Sequence, residues 1–210
     1  MSDLTTEVLA TARAMNAVGI NRGAAGNVSA RDGDGFIITP TGMPYDECLP
    51  EDMAKVSLDG TALGKRMPSS EWRFHRDIYS AHPEAGAIVH THAPFATSLA
   101  CQEVEIPPFH YMIARFGGNT IRCAGYATFG TQELSVAMLV ALQGRCACLM
   151  AHHGMVVFGA NLKEALALAV EFESLCEQYW RVLQLGAPKL LSADEMVRVI
   201  EKFKGYGKQP

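Results

Sequence analysis

Two histidines in the middle of the chain have the spacing of a metal site. His90 and His92 flank Thr91 at the end of an apolar run, residues 87–92, whose composition is typical of a buried β-strand. Side chains two residues apart in a strand point to the same face, so both imidazoles can reach one ion. A pair of surface histidines at a strand end has the same spacing, so the pair alone leaves metal binding open.

A second histidine motif strengthens the metal hypothesis. His152 and His153 belong to the segment Met-Ala-His-His-Gly, residues 150–154, which directly follows a very apolar run. At least one of them is therefore expected to be shielded from water, where a neutral imidazole needs a metal or a backbone group as its partner. Three histidines around one zinc ion leave a fourth position for water or substrate, which is the arrangement of a catalytic site.

A carboxylate and several small polar residues are further candidates. Glu71 lies in the first turn of a predicted helix, where an exposed glutamate stabilised by the helix dipole is the ordinary interpretation. Residues 26–29, residues 39–42 and the pair Ser69-Ser70 place hydroxyl or amide side chains beside a glycine or a helix N-terminus. Such groups can bind a phosphate monoester through N–H donors, although each segment taken singly is also a common turn.

The elements that must position these residues are helices and strands that do not alternate strictly. Apolar spacing and capping residues predict helices at residues 3–19, 71–81, 132–143 and 162–185, and one beginning at Ser192. Apolar β-like runs predict strands at residues 36–38, 54–58, 87–92 and 146–157. Because hairpin-like strand pairs occur, we expect an α/β fold with a mixed or antiparallel sheet flanked by helices, as a single domain over residues 1–210.

The composition argues against several classes of protein. The 210 residues carry a formal net charge of −4 and a pI of about 6.0, so no basic surface for nucleic acid is expected. The N-terminus shows no secretory pattern, and the apolar runs fall short of the ~20 residues that span a bilayer, so we expect no membrane partner and a cytoplasmic location. The six cysteines include no C-x-x-C pair and are interpreted as buried structural thiols.

Seven segments, in order along the chain, resemble those of one known family. They are GNVSAR (26–31), ITPTGMPYD (38–46), PSSEWRFH (68–75), IVHTHAP (88–94), FHYMIARFGGNTI (109–121), YATFGT (126–131) and AHHGMVVFG (151–159). Through them the chain resembles the class II aldolase/adducin family over nearly its whole length. The resemblance implies a three-layer fold, with a largely antiparallel central sheet between helices on both sides.

The resemblance also implies a role for each candidate residue. One Zn²⁺ per subunit would be held by three histidines and a glutamate, namely His90, His92, His153 and Glu71. Glu71 would become the general base once substrate displaces it from the metal. The substrate phosphate would be bound by Asn27, Thr41, Gly42, Ser69 and Ser70. Tyr111 would come from a neighbouring subunit of a homotetramer as the acid on the aldehyde oxygen, and Tyr206 on the C-terminal tail would close over the site.

The activity implied by the resemblance is that of a metal-dependent lyase. A ketose 1-phosphate similar to L-fuculose 1-phosphate would be cleaved reversibly to dihydroxyacetone phosphate and a short aldehyde such as lactaldehyde. Breaking the C3–C4 bond leaves an electron pair on an enediolate, which zinc stabilises as a Lewis acid. A lysine Schiff base is the alternative chemistry, but lysines such as Lys55 and Lys65 lie in polar, turn-like segments rather than in a desolvated site.

Two other interpretations share this scaffold. A sugar-phosphate 4-epimerase, a dehydratase or a decarboxylase of a phosphorylated oxo-acid also uses a zinc-stabilised enolate, so the metal residues do not separate these enzymes from an aldolase. The context His110-Tyr111-Met112 favours the aldolase. A non-enzymatic interaction domain, like the adducin head, would have lost the metal site, and the intact set of three histidines and Glu71 argues against it.

Overall fold

A computed structural model describes residues 3–205, which form an eight-stranded β-sheet between two layers of helices. The strands are β1 (Asn27–Asp32), β2 (Gly35–Ile38), β3 (Ala54–Ser57), β4 (Ala62–Leu63), β5 (Ala87–Thr91), β6 (Cys123–Ala124), β7 (Ala147–Met150) and β8 (Gly154–Gly159). The helices are α1 (Leu4–Ala17), α2 (Trp72–Ala81), α3 (Pro94–Ala100), α4 (Gln132–Ala141), α5 (Leu162–Leu185) and α6 (Ala193–Phe203). Short 3-10 helices span Pro50–Asp52 and Tyr111–Phe116. Tyr206 lies outside the described residues.

The sheet has the strand order β4-β3-β2-β1-β5-β8-β7-β6. Neighbouring strands pair antiparallel, except that β6 and β7 pair parallel. The predicted mixed, largely antiparallel α/β fold is therefore confirmed. All five residues of β5 are buried, because this strand lies in the middle of the sheet between β1 and β8.

The alternation of side chains along the central strands divides the core into two layers. Val89 of β5 packs with apolar residues of α1, α3 and α5, whereas its neighbour Ile88 packs with those of α2 and α4. Val28 of β1 belongs to the first of these layers. Asn27 and Ser29, which alternate with it, therefore face α2, and both are buried polar residues. A polar strip thus lies inside an otherwise apolar layer between β1 and α2.

The strand expected at residues 146–157 is instead an antiparallel hairpin of β7 and β8. Its turn spans residues 151–153, where His152 adopts a left-handed φ of 53°. Every residue of both strands is buried, so the apolar pattern gives no sign of the turn. Gly154 lets the hairpin approach β5, because a Cβ there would lie 2.4 Å from the carbonyl oxygen of Thr91. The turn of the hairpin therefore lies beside the end of β5.

The described residues show neither a membrane span nor a disulfide framework. No helix within residues 3–205 has the length and apolar character needed to cross a bilayer. All six cysteines lie in this range and are free thiols. Cys48, Cys148 and Cys176 are buried as predicted, whereas Cys123 and Cys146 are only partly buried and Cys101, which follows α3, is exposed.

Candidate metal centre and active site

Three histidines converge at the end of β5. His90 belongs to β5, His92 follows the strand, and His153 lies in the β7–β8 turn. The pairing of Thr91 with Met155 places the β8 end of that turn beside β5. One ring nitrogen from each histidine lies within 4.8 Å of the others, which is close enough for the three to share one ion. The structure thus brings together the three histidines that were singled out in the sequence.

The hydrogen bonding of His90 leaves one of its ring nitrogens free for a metal. Its imidazole is fully buried, and Nδ1–H donates to the backbone carbonyl of Met155 over 2.8 Å. This bond fixes the tautomer in which Nε2 carries no proton. Nε2 has no hydrogen-bond partner among residues 3–205, although buried polar atoms normally have one. A metal ion would satisfy this atom, so the three histidines fit one.

Glu71 faces the histidines from the N-terminus of α2, where it is the N-cap residue. It is only 5% exposed, so the exposed position that is ordinary for a glutamate at a helix start is excluded. Its Oε2 lies 3.2 Å from His90 Nε2, and its Oε1 lies 3.2 Å from His153 Nε2. Asn27 Nδ2 donates to Oε2 over 2.9 Å. The carboxylate is therefore placed to act as a fourth ligand or as a base beside the metal.

The surroundings keep the Glu71 carboxylate ionised and the imidazoles of His92 and His153 neutral. Burial by itself raises the pKa of Glu71, but the adjacent His90 and His153 and the hydrogen bond from Asn27 outweigh this effect and lower the pKa to about 2. Burial lowers the pKa of His92 and of His153 to about 4. Carboxylate and neutral imidazole are the protonation states that bind a divalent metal, so Glu71, His92 and His153 are in their ligating forms near neutral pH.

The phosphate-site candidates lie on two joined loops and on β1. Backbone hydrogen bonds connect the loop of residues 39–42 to the loop of residues 67–70. Three candidates on these loops are exposed, namely Thr41, Gly42 and Ser70. Ser69 is buried, and its Oγ accepts a hydrogen bond from the backbone N–H of Glu71 over 3.3 Å. Asn27 is also buried, and its amide group is already bonded to the Glu71 carboxylate.

An open cavity of about 340 Å³ lies in front of Glu71 and the histidines. Besides predicted residues and two alanines, its wall contains three larger side chains to which the sequence analysis assigns no role, namely Tyr126, Phe129 and His152. Tyr126 is 63% exposed and Phe129 is 65% exposed, as members of the loop at residues 126–131. Tyr126 and Phe129 belong to the segment YATFGT, which resembles the family, but this pattern does not show that the loop lies at the cavity.

Tyr111 is not among the described residues that line this cavity. It begins the 3-10 helix Tyr111–Phe116, is 50% exposed, and stacks on Phe203 of α6 with 6.3 Å between ring centroids. A groove between this 3-10 helix and α6 lies beside it. A role for Tyr111 at the metal centre of a neighbouring subunit, which the resemblance implies, stays a prediction.

Comparison with known proteins decides the family. The sequence profile of a family described as Class II Aldolase and Adducin N-terminal domain matches residues 6–180. The chain belongs to this family. Relatives named as aldolases and the shared fold further identify it as a class II aldolase, which is a metal-dependent lyase, and its histidine cluster fits the metal.

Named relatives match this class II aldolase along nearly their whole lengths. It is 56% identical over 196 residues to the "5-methylthioribulose-1-phosphate/5-deoxyribulose-1-phosphate aldolase" of Rhodospirillum rubrum, covering 93% of this chain and 89% of that relative. It is 44% identical over 205 residues to the "L-fuculose phosphate aldolase" of Escherichia coli (strain K12), covering 97% of this chain and 95% of that relative. A solved structure named "L-fuculose 1-phosphate aldolase" superposes with a TM-score of 0.93 at 35% identity, covering 97% of each chain.

We expect the aldolase to bind one divalent metal ion per subunit and His153→Gln to lose most of it. The substitution removes one of the three converging nitrogens, whereas His152→Gln changes a neighbour whose Nε2 bonds to Glu103 instead and should keep the ion. Metal content after zinc loading and desalting gives the answer. Chelation should leave the far-UV circular dichroism of the wild type nearly unchanged, since the metal is catalytic. Full metal content in His153→Gln contradicts this ligand assignment.

Proposed function

We propose that this class II aldolase reversibly cleaves a ketose 1-phosphate between C3 and C4, giving dihydroxyacetone phosphate and a short aldehyde. We assign zinc as the metal, with ligands His90, His92, His153 and Glu71. One observation carries the proposal: a buried, ionised carboxylate lies 3.2 Å from two of the clustered histidines at the wall of an open cavity. A base beside a metal site is suited to taking a proton from a carbon next to a carbonyl group.

The proton transfers are assigned to Glu71 and to a tyrosine of a neighbouring subunit. A zinc ion held by the three histidines would supply a Lewis acid for the C2 carbonyl of the substrate. In the direction of synthesis, Glu71 takes a proton from C3 of dihydroxyacetone phosphate, because its carboxylate is ionised and faces the cavity. Tyr111 of the neighbouring subunit gives its proton to the aldehyde oxygen as the C3–C4 bond forms. By resemblance alone, Tyr206 is assigned the closure of the site.

The substrate phosphate is assigned to the two joined loops beside the cavity. The Thr41 hydroxyl and the Gly42 backbone are exposed there, and Ser70 lines the cavity itself. Ser69 and Asn27 join the set through the resemblance, and both lie directly behind this surface as buried residues. A dianion at this position lies close to the N-terminus of α2, where free N–H groups and the helix dipole stabilise negative charge.

Two classes of aldehyde are supported by the named relatives. The 56% identical relative favours a 5-deoxypentulose 1-phosphate, with or without a methylthio group at C5, which releases acetaldehyde or methylthioacetaldehyde. The relatives named L-fuculose phosphate aldolase favour lactaldehyde, the product expected from the sequence motifs. The exposed rings of Tyr126 and Phe129 give the cavity an apolar surface, which suits a methyl or methylthio end. We propose the deoxypentulose class as the preferred substrate.

We also propose an oligomeric state, a domain organisation and a cellular location for this aldolase. Sites completed by Tyr111 of a neighbour require a closed ring, for which a homotetramer is proposed. Residues 1–210 are proposed to be a single domain, since buried residues of α1 and of α6 belong to one hydrophobic core. A cytoplasmic location stays a prediction from the sequence.

The function is tested by cleavage of 5-deoxyribulose 1-phosphate, 5-methylthioribulose 1-phosphate and L-fuculose 1-phosphate, with released dihydroxyacetone phosphate as the readout. We expect the pentulose phosphates to be cleaved with the higher kcat/KM. Glu71→Gln should lower the rate at least ~100-fold with most of the metal retained, because it removes the base but keeps a ligand oxygen. Glu84→Gln, on the exposed turn after α2, is the matched control. A zinc-loaded wild type that cleaves none of the three compounds refutes the function.

Ser70→Ala separates phosphate binding from chemistry. Loss of a hydrogen bond to a charged group should raise KM for a phosphorylated ketose about tenfold or more. The kcat should change less, because the phosphate is remote from the breaking bond. Ser80→Ala, an exposed serine later in α2, should leave both constants unchanged. Equal losses with phosphorylated and unphosphorylated ketoses would assign Ser70 to another task.

Mixing two inactive variants tests whether the sites are shared. Tyr111→Phe lacks the acid and His92→Asn lacks a metal ligand, so each homo-oligomer should be inactive. When subunits exchange, some interfaces pair an intact metal centre with an intact tyrosine, and a fraction of wild-type activity should return. No recovery after verified exchange, or an active monomer by light scattering, contradicts the shared site.

A further inference from the structure

The polar strip between β1 and α2 is a continuous chain of hydrogen bonds that ends on Glu71. Tyr79 Oη lies 2.8 Å from Ser29 Oγ, and Ser29 Oγ lies 2.7 Å from His75 Nδ1. His75 Nε2 lies 2.5 Å from Asn27 Oδ1, and Asn27 Nδ2 lies 2.9 Å from Glu71 Oε2. All five residues are buried, with His75 and Ser29 at 0% exposure.

The hydrogen-bonded side chains come alternately from α2 and β1, because the repeat distance of side chains on the helix face is close to that on the strand face. Glu71, His75 and Tyr79 are spaced by four residues along α2, which corresponds to about 6 Å of rise on one face. Asn27 and Ser29 are spaced by two residues along β1, which corresponds to about 6.7 Å. Each strand side chain therefore fits between two helix side chains, and together they span the layer.

Only one direction of donation is consistent with an ionised Glu71. Asn27 must present Nδ2 to the carboxylate, since the flipped amide would place two acceptor oxygens 2.9 Å apart. Its Oδ1 then needs a donor, which fixes His75 as the tautomer with a proton on Nε2. His75 Nδ1 in turn accepts from the Ser29 hydroxyl, and that hydroxyl accepts from Tyr79. Each group donates to the next one in the direction of Glu71, and hydrogen bonds in such a series polarise and strengthen one another.

His75 has no other polar partner among the described residues. Its ring stacks on Phe74 with 4.6 Å between centroids and lies 6.4 Å from the ring of Phe36. Burial lowers its pKa to about 3, which keeps the imidazole neutral, with one donor and one acceptor nitrogen. Phenylalanine rings pack on the ring of His75, whereas both of its nitrogens are hydrogen-bonded, so packing alone does not account for a histidine here.

This series of hydrogen bonds ends on only one of the two carboxylate oxygens of Glu71. Oε2 accepts the hydrogen bond from Asn27, whereas Oε1 is buried without a hydrogen-bond partner among residues 3–205 and points towards His153. A carboxylate held by one oxygen keeps its rotamer while the other oxygen is left for a metal or a proton.

We propose that His75 is a positioning residue, which orients the Asn27 amide so that Glu71 is held through Oε2 and reacts through Oε1. Ser29, which accepts from Tyr79, donates to Nδ1 of His75 in this tautomer. The inference rests on the proposed role of Glu71 as the base, and it adds a residue that touches neither metal nor substrate. Asn27 keeps its second N–H for the phosphate, so both assignments of this residue are compatible.

The kinetic test compares His75→Phe with His75→Gln in the zinc-loaded enzyme. Phenylalanine preserves the ring stack but removes the donor, and should lower kcat by about tenfold or more, with KM and metal content little changed. Glutamine places an N–H near the position of Nε2 and should recover most of the loss. A purely structural role predicts the opposite order, with phenylalanine tolerated better. His82→Phe, at the end of the same helix, is the control and should keep wild-type kinetics.

A spectroscopic measurement tests the hydrogen bonds of His75 without relying on activity. Long-range ¹H–¹⁵N correlation spectra of histidine-labelled protein should show His75 with its proton on Nε2, the signal being assigned by its absence in His75→Gln. A proton on Nδ1, or His75→Phe kinetics within about threefold of wild type, overturns the proposal. If His75→Phe does not fold, the position of the His75 proton in the wild-type spectrum decides whether the proposal holds. A wild type that cleaves no ketose 1-phosphate refutes the proposed function instead, and the tautomer still tests the chain.

Discussion

The site depends on keeping an ionised carboxylate inside an apolar layer. Removing a carboxylate from water costs several kcal/mol unless charges and hydrogen-bond donors replace the lost hydration. For Glu71 the hydrogen-bond donor is Asn27 on β1, and the compensating positive charge is that of a metal ion bound beside His90 on β5 and His153 in the β7–β8 turn. The order β1-β5-β8 in the sheet makes the three segments neighbours. A different strand order would bury the same charge without its partners, so the topology is a condition for the chemistry.

One helix face therefore serves the core and the site together. The residues of α2 that pack under the sheet include Phe74 and Ile78, while Glu71, His75 and Tyr79 run beside them at four-residue spacing. Satisfied hydrogen bonds allow these polar groups to lie among apolar ones with little loss of stability, since each donor has an acceptor of matching geometry. The layer that stabilises the fold is thus also the layer that orients the base.

Elements with strong local signals could be predicted from the sequence, and long-range relations could not. The helix at residues 162–185 and the strand at residues 87–92 have apolar patterns of sufficient length, and the structure reproduces them within a residue. Strand β1 was missed because its inward-facing side chains include polar ones, which breaks the usual alternation. The burial of Glu71 was not predictable from its helix-start position, because it depends on Asn27, 44 residues away. The histidine motifs could be recognised in the sequence because few residue types bind metals. The hydrogen-bonded residues between β1 and α2 could not, because they are ordinary polar residues.

The pairing of β5 with β8 also sets when the metal centre can exist as the chain folds. His90 and its backbone partner Met155 are 65 residues apart in sequence. Contacts that close so long a loop form slowly, because chain entropy is lost before the contact is gained. Before β8 joins β5, His153 is not held beside His90 and His92, and His90 lacks the Met155 carbonyl that fixes its tautomer. We therefore expect a newly synthesised chain to take up its metal at the end of folding, so that metal uptake marks a completed sheet.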